Sequence, residues 1–118
     1  MSNSIMRDKS KDFAKNIVFL CRNIKSEHKE TVLINQLLRS GTSIGANIHE
    51  AQYAQGTKDF ISKFEIALKE ASETGYWLEL LYRTKYIDDQ IFKSLSSKCT
   101  SLRVMLIASC KTAKENSK

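Results

Sequence analysis

Apolar residues recur at alternating spacings of four and three through Phe60, Phe64, Ala67, Ala71, Thr74, Leu78 and Leu81. This is the period of one helix face lying along another helix, and it predicts a helix over Thr57 to Arg83. An earlier stripe of Ile34, Leu37, Gly41, Ile44 and Ile48 predicts a helix over Glu30 to Ala54, whose small residues Gly41, Gly45 and Ala46 let a neighbouring backbone come close. Phe13, Ile17, Leu20 and Ile24, flanked by Ala14, Val18 and Cys21, place a first helix over Ser4 to Ser26. Ile91, Leu95, Leu102 and Leu106, with Cys99, Met105 and Ser109 at the seam, place a last one beyond a turn at Thr84 to Asp89. The chain has no proline and four glycines, so nothing interrupts these helices and a strand-rich fold is disfavoured. The expected fold is all-α: a single domain over residues 1–118 forming an antiparallel up-down-up-down four-helix bundle. In that topology the first and last helices are neighbours.

Local signals suggest where the helices stop. Gly56 is expected to close the second helix as a C-terminal cap, Thr57 to cap the third, and Asp59 to sit favourably in its first turn. Asp88 or Asp89 is expected to cap the fourth, whose final residues KENSK read as frayed. The third helix also carries a second apolar face, with Ile66, Trp77 and Leu80 on one side and Glu70 and Glu73 between them. The outside of a lone bundle has no use for a face holding a tryptophan. That face is expected to be buried against something else.

Charge changes the picture along the chain. Residues 1–30 hold seven Lys and Arg against four Asp and Glu, residues 31–82 four against six, and residues 83–118 eight against three. The net balances are therefore +3, −2 and +5, so the basic excess lies on the first and last helices. Lys11, Lys15, Arg22 and Lys25, with Arg7, fall opposite the first core stripe; Lys93, Arg103, Lys111 and Lys114 are read as outward on the last. Merged across neighbouring helices, they form one cationic surface. The longest apolar run in the first helix, Ile17 to Cys21, is far short of a membrane span, and the N-terminus lacks the apolar core of a secretory signal. A cytoplasmic protein without membrane association is expected. Cys21, Cys99 and Cys110 have no CxxC spacing and read as buried thiols in a reducing compartment.

The stretch RSGTSIGANIHEAQ, Arg39 to Gln52, followed by KDFISKFEIALKEASETGYWLELL, Lys58 to Leu81, resembles a bacterial family of four-helix bundle proteins first noticed in intervening sequences of 23S ribosomal RNA genes. Arg39, Ser40, Ser43, Ile44, Ala46, Asn47, Ile48 and Glu50 agree with the family pattern, as do Phe60, Ile66, Ala67 and Glu73. Ala51 stands where that family usually has glycine. The resemblance implies a bundle assembling into a ring-shaped homopentamer. It also implies a fold like that of accessory proteins of diversity-generating retroelements, which bind a reverse transcriptase and nucleic acid.

Two surfaces then become candidates. Arg39, Ser43, Asn47 and Glu50 line one side of the second helix, and the Ile66, Glu70, Glu73, Trp77 and Leu80 face lies on the third. Together they are expected to form the subunit interface, with Trp77 as anchor and Arg39 pairing with Glu70 or Glu73. In a closed ring the contact is head-to-tail, so two different faces of each subunit must match. The cationic residues Lys11, Lys15, Arg22, Lys25, Lys93, Arg103 and Lys111 are the candidate nucleic-acid contacts, by way of the phosphate backbone because no aromatics interleave with them to stack bases. The ordinary alternative is a solubilising lysine face on a protein-interaction adaptor. His28 and His49 lie far apart, and neither an HExxH nor a Glu-x-x-His pair nor a glycine-rich phosphate loop is present. No catalytic residue, cofactor or metal is expected.

Overall fold

The computed structural model describes residues 2–117 and contains four helices among them: α1 (Ser2–His28), α2 (Val32–Ala51), α3 (Thr57–Arg83) and α4 (Asp89–Asn116). Side-chain pairs fix their directions. Thr74 meets Ser40 and Lys63 meets Glu50, so α2 and α3 run antiparallel. Tyr82 reaches Asp89 while Lys114 reaches Glu65, which makes α3 and α4 antiparallel as well. The Cys21 thiol lies 3.7 Å from the Ile34 carbonyl, and Lys98 approaches Asp12 from across the remaining seam. The result is the up-down-up-down bundle, 50 × 22 × 20 Å.

The helix ends follow local chemistry and correct several expectations. α2 stops at Ala51, with the amides of Gln52, Tyr53 and Ala54 bonded to carbonyls three residues back. A tightened last turn of this kind satisfies the terminal carbonyls without a left-handed residue. Gly56 therefore does not end α2. It starts α3 instead, at φ +123°, a conformation that side chains rarely adopt. Thr57 makes no cap, and Asp59 reaches back to accept the Gln55 amide at 3.1 Å. Glu30 likewise accepts the Leu33 amide at 2.9 Å, so it caps α2 from outside the helix rather than opening it. α3 closes with the amide of Tyr86 on the Leu81 carbonyl and that of Lys85 on the Tyr82 carbonyl, Lys85 standing at φ +70°. That is the Schellman pattern with lysine in the left-handed position. Asp88 caps α4 as expected, accepting the Ile91 amide at 2.8 Å. The end expected to fray stays helical to Asn116, and Lys118 lies outside the described residues.

Met6, Phe13, Ile17, Ile24, Ile34, Leu37, Ile44, Ile48, Phe64, Leu78, Leu81, Leu102 and Leu106 fill the core. The 3–4 stripes are thus seated inward. Three expected core residues are not: Phe60 and Leu20 are only half-buried, and Ile91 is 37% exposed. Leu20 and Ile91 line the seam between α1 and α4, the most loosely packed of the four helix pairs. Between α1 and α2 the reverse holds. A Cβ on Gly41 would stand 3.0 Å from Ile17 Cγ2, and one on Gly45 would stand 3.4 Å from the Ser10 carbonyl oxygen. The glycines make that close approach, whereas Ala46 is exposed and takes no part.

All three thiols are buried and free. Burial pushes Cys21 up to about 11, against a weaker opposing pull from Lys25, and does the same to Cys99 against Arg103. In the folded protein these two sites therefore carry about a hundredfold less thiolate than an open cysteine at neutral pH. Alkylation by iodoacetamide at pH 8 is expected to be slow in native protein, to accelerate as pH rises towards 11, and to reach three modified thiols rapidly only in denaturant, as read by mass spectrometry. Gly41→Leu is expected to cost about 1–3 kcal/mol by overpacking against Ile17. Gly75→Ala, where an added Cβ meets nothing within 4 Å, is expected to gain up to about 1 kcal/mol from helix propensity, both read by urea unfolding.

Candidate functional site

Antiparallel packing of α2 on α3 sets residue 39 opposite residues 70 to 74, and a polar network follows from that register. In the core, the hydroxyls of Ser40 and Thr74 share a hydrogen bond of 3.0 Å, and Thr74 also donates to the Glu70 carbonyl at 2.8 Å. Two buried hydroxyls are satisfied at no cost in unpaired groups. Just outside them, Arg39 reaches Glu70 at 3.2 Å, Glu73, and the Gln36 side-chain oxygen at 3.1 Å. The Trp77 indole N–H donates to the same Glu73 carboxylate at 2.9 Å. Glu73 is thus shared between a guanidinium and an indole, and Glu70 is the more buried of the two acids. Further along, Lys63 approaches Glu50 at 3.3 Å.

This arrangement corrects the expected interface in two respects. The Arg39 pairs with Glu70 and Glu73 form within one chain, because the register already brings them together. Ser43 and Asn47 do not reach across to anything; their side chains bond the carbonyls of Arg39 and Ser43 one turn back on α2. The α2 row and the α3 face are therefore parts of one surface, not the two opposed halves that a head-to-tail contact needs. Trp77 is half-buried and packs against the core, with Tyr76 edge-on at 5.0 Å. The outward line of α3 remains apolar: Ile66 is 40% exposed, Tyr76 is 60% exposed, and Leu80 is half-buried. Tyr76 escaped the sequence reading, although its spacing of three from Glu73 and four from Leu80 put it on that same line.

The cations of α1 and α4 do not merge as expected. Lys11, Lys15 and Arg22 are exposed and Lys25 is half-buried, all on the outer side of α1. Lys93 and Lys111 are exposed on the outer side of α4. Between the two rows the seam is lined by Asp8, Lys9, Asp12 and Lys98, a mixed set. Several cations are also held by carboxylates. Lys15 sits 3.5 Å from Asp12, and Lys93 sits 2.9 Å from Asp89. Asp89 also accepts the Tyr82 hydroxyl, and the two donors, Lys93 first, hold its carboxyl below the usual range. Lys114 lies 2.8 Å from Glu65, which raises its pKa. Arg103 is half-buried rather than outward, and its Nε has no partner among the described residues. Lys11, Arg22, Lys25 and Lys111 make no ion pair among the described residues. An aromatic does interleave with this row: Phe19, 51% exposed, lies under the Arg22 guanidinium at 5.8 Å. Two residues on from Ile17, it stands opposite the core stripe, a place the helical period already assigns it.

The profile of the 23S rRNA-intervening sequence protein family matches residues 2–108. The chain belongs to that family. A crystal structure of a protein of unknown function from the S23 ribosomal protein family of Bacteroides thetaiotaomicron superposes with a TM-score of 0.92. It shares 50% identity, over 94% of this chain and 99% of that one. No curated protein matches. Within this family member, the matching motif residues divide by location. Ser40, Ile44 and Ile48 are interior, Arg39 and Glu73 build the network, and Ala46 and Glu50 are exposed. Ser40 and Thr74 were hard to see in advance, since a buried hydroxyl pair declares itself only once the register between two helices is known.

Arg39→Ala is expected to lower unfolding stability by about 1 kcal/mol, and a double-mutant cycle with Glu73→Ala to return about 0.5–1 kcal/mol of coupling, measured by urea denaturation. The indole emission of Trp77 should shift in both single variants.

Proposed function

We propose that this protein is a non-catalytic, self-associating helical bundle that holds a nucleic-acid backbone along the cationic rows of α1 and α4. The observation carrying this reading is the presence of exposed cations without carboxylate partners among the described residues, Lys11, Arg22 and Lys111, on helices whose segments are net basic. Each row alone offers few phosphate contacts. Repetition in a homopentamer multiplies them, and binding by avidity needs no strong single site. Phe19 beside Arg22 adds one face on which an unpaired base stacks, favouring single strands over duplex. The family's connection with 23S rRNA, and the ribosomal family of the Bacteroides relative, are in keeping with an RNA partner. No helix of the described chain is long and apolar enough to cross a membrane, and the proposed setting is the cytoplasm.

A second reading, a protein-interaction adaptor with no nucleic-acid contact, draws on the exposed Ile66 and Tyr76 beside Trp77. Fluorescence anisotropy with a labelled single-stranded RNA across a salt series separates the two. The proposal predicts binding at low salt that falls steeply as salt rises, with a log–log slope of about −0.7 for each phosphate engaged. Lys11→Glu, Arg22→Glu and Lys111→Glu together should abolish it with oligomer mass unchanged. Absence of binding by wild-type protein at low salt contradicts the proposal and leaves the adaptor reading.

A further inference from the structure

Every carboxylate of α1 and α2 turns away from the face these two helices share. Asp8 and Asp12 line the seam with α4, and Glu27 lies in a cleft at the bundle end with Tyr86 and Ile91. The one acid of α2, Glu50, reaches Lys63 on α3. The cations of α1 take the other side. Arg7 shares a cavity with Ile48, Ala51 and Gln52 of α2. Lys25 stands one turn on from Cys21, whose thiol faces the Ile34 carbonyl of α2. About five full turns separate Arg7 from Lys25, so the two stand in line, about 27 Å apart. Lys11 and Arg22 lie between them, within about 60° of that line. None of the four makes an ion pair among the described residues.

On the α2 side, Gly41 and Gly45 face Ile17 and Ser10, so the positions beside them border the cationic row. Asn35, Thr42 and His49, spaced by sevens, form a neutral polar line there, with Asn35 and His49 exposed. The α4 row looks elsewhere. Lys111 stands one turn before Lys114, which reaches Glu65 of α3, and Lys93 is held by Asp89. In an up-down-up-down bundle the α3–α4 face lies across from the α1–α2 face, so one strand cannot follow both rows of a chain. We infer that a single-stranded nucleic acid runs along the α1–α2 face, its phosphates against Arg7, Lys11, Arg22 and Lys25 and its sugars or bases towards Asn35 and His49. A solubilising surface mixes both signs of charge. This face carries one sign only, as a polyanion requires. The track rests on the nucleic-acid reading above and places the principal contact on one of its two rows.

Acids added beside the row test the track without removing a cation. Asn35→Glu and His49→Glu stand at exposed positions of α2. Thr100→Glu stands at an exposed position of α4, seven residues from Lys93 and eleven from Lys111, and so in line with them. Fluorescence anisotropy of a labelled oligouridylate at low salt should show the α2 pair weakening binding about tenfold and Thr100→Glu altering it by less than about twofold. Arg7→Gln and Lys25→Gln should each flatten the log–log salt slope by about 0.7. Circular dichroism and light scattering should report native helicity and unchanged oligomer mass. If the α2 double variant loses native helicity, each acid alone takes its place, with about a threefold loss expected. A loss from the α2 acids no greater than that from Thr100→Glu, or a slope unchanged in both glutamine variants, overturns the α1–α2 track alone. Wild-type protein that does not bind at low salt overturns it together with the nucleic-acid reading on which it rests.

Discussion

The register between α2 and α3 is the constraint on which most of this structure depends. Once Ser40 faces Thr74 across the core, the positions of Arg39, Glu70, Glu73 and Trp77 are no longer independent. A slip of one residue would separate these two buried hydroxyls and leave each only a carbonyl of its own helix, Leu37 for Ser40 and Glu70 for Thr74. The outer ion pairs contribute little individually at such exposure. Their part is to hold one arrangement of side chains over a polar core that already selects it.

The four seams of the bundle are unequal, and the inequality organises the surface. Gly41 and Gly45 draw α2 against α1 so closely that a Cβ at position 41 would press on Ile17. α3 and α4 are joined by the stacked rings of Tyr82 and Phe92, 4.3 Å apart, and by a Schellman turn leading to the Asp88 cap. Only α1 and α4, which no short connection joins, stand apart along an open groove. The same separation keeps their cations in two rows.

Much of the fold was legible because periodicity states directly which residues share a face. Phe64, Ala67, Ala71, Leu78 and Leu81 are buried as their spacing required. Periodicity does not state which neighbour a face meets. Arg39 and its two acids were read as partners across subunits, although the antiparallel register had already placed them side by side within one chain. Leu20 and Ile91 look like core residues in sequence, and the difference lies in how far two helices stand apart, which no local pattern encodes. Gly56 carried a correct signal, a left-handed residue at a helix boundary, but the pattern could not tell the end of α2 from the start of α3.

The role proposed for the basic rows requires more than one copy acting together. Native mass spectrometry of the wild-type chain at low micromolar concentration tests this most directly. The account predicts a single discrete assembly of five 13.5 kDa chains, with no ladder of lower species. A spectrum containing only monomer would contradict it.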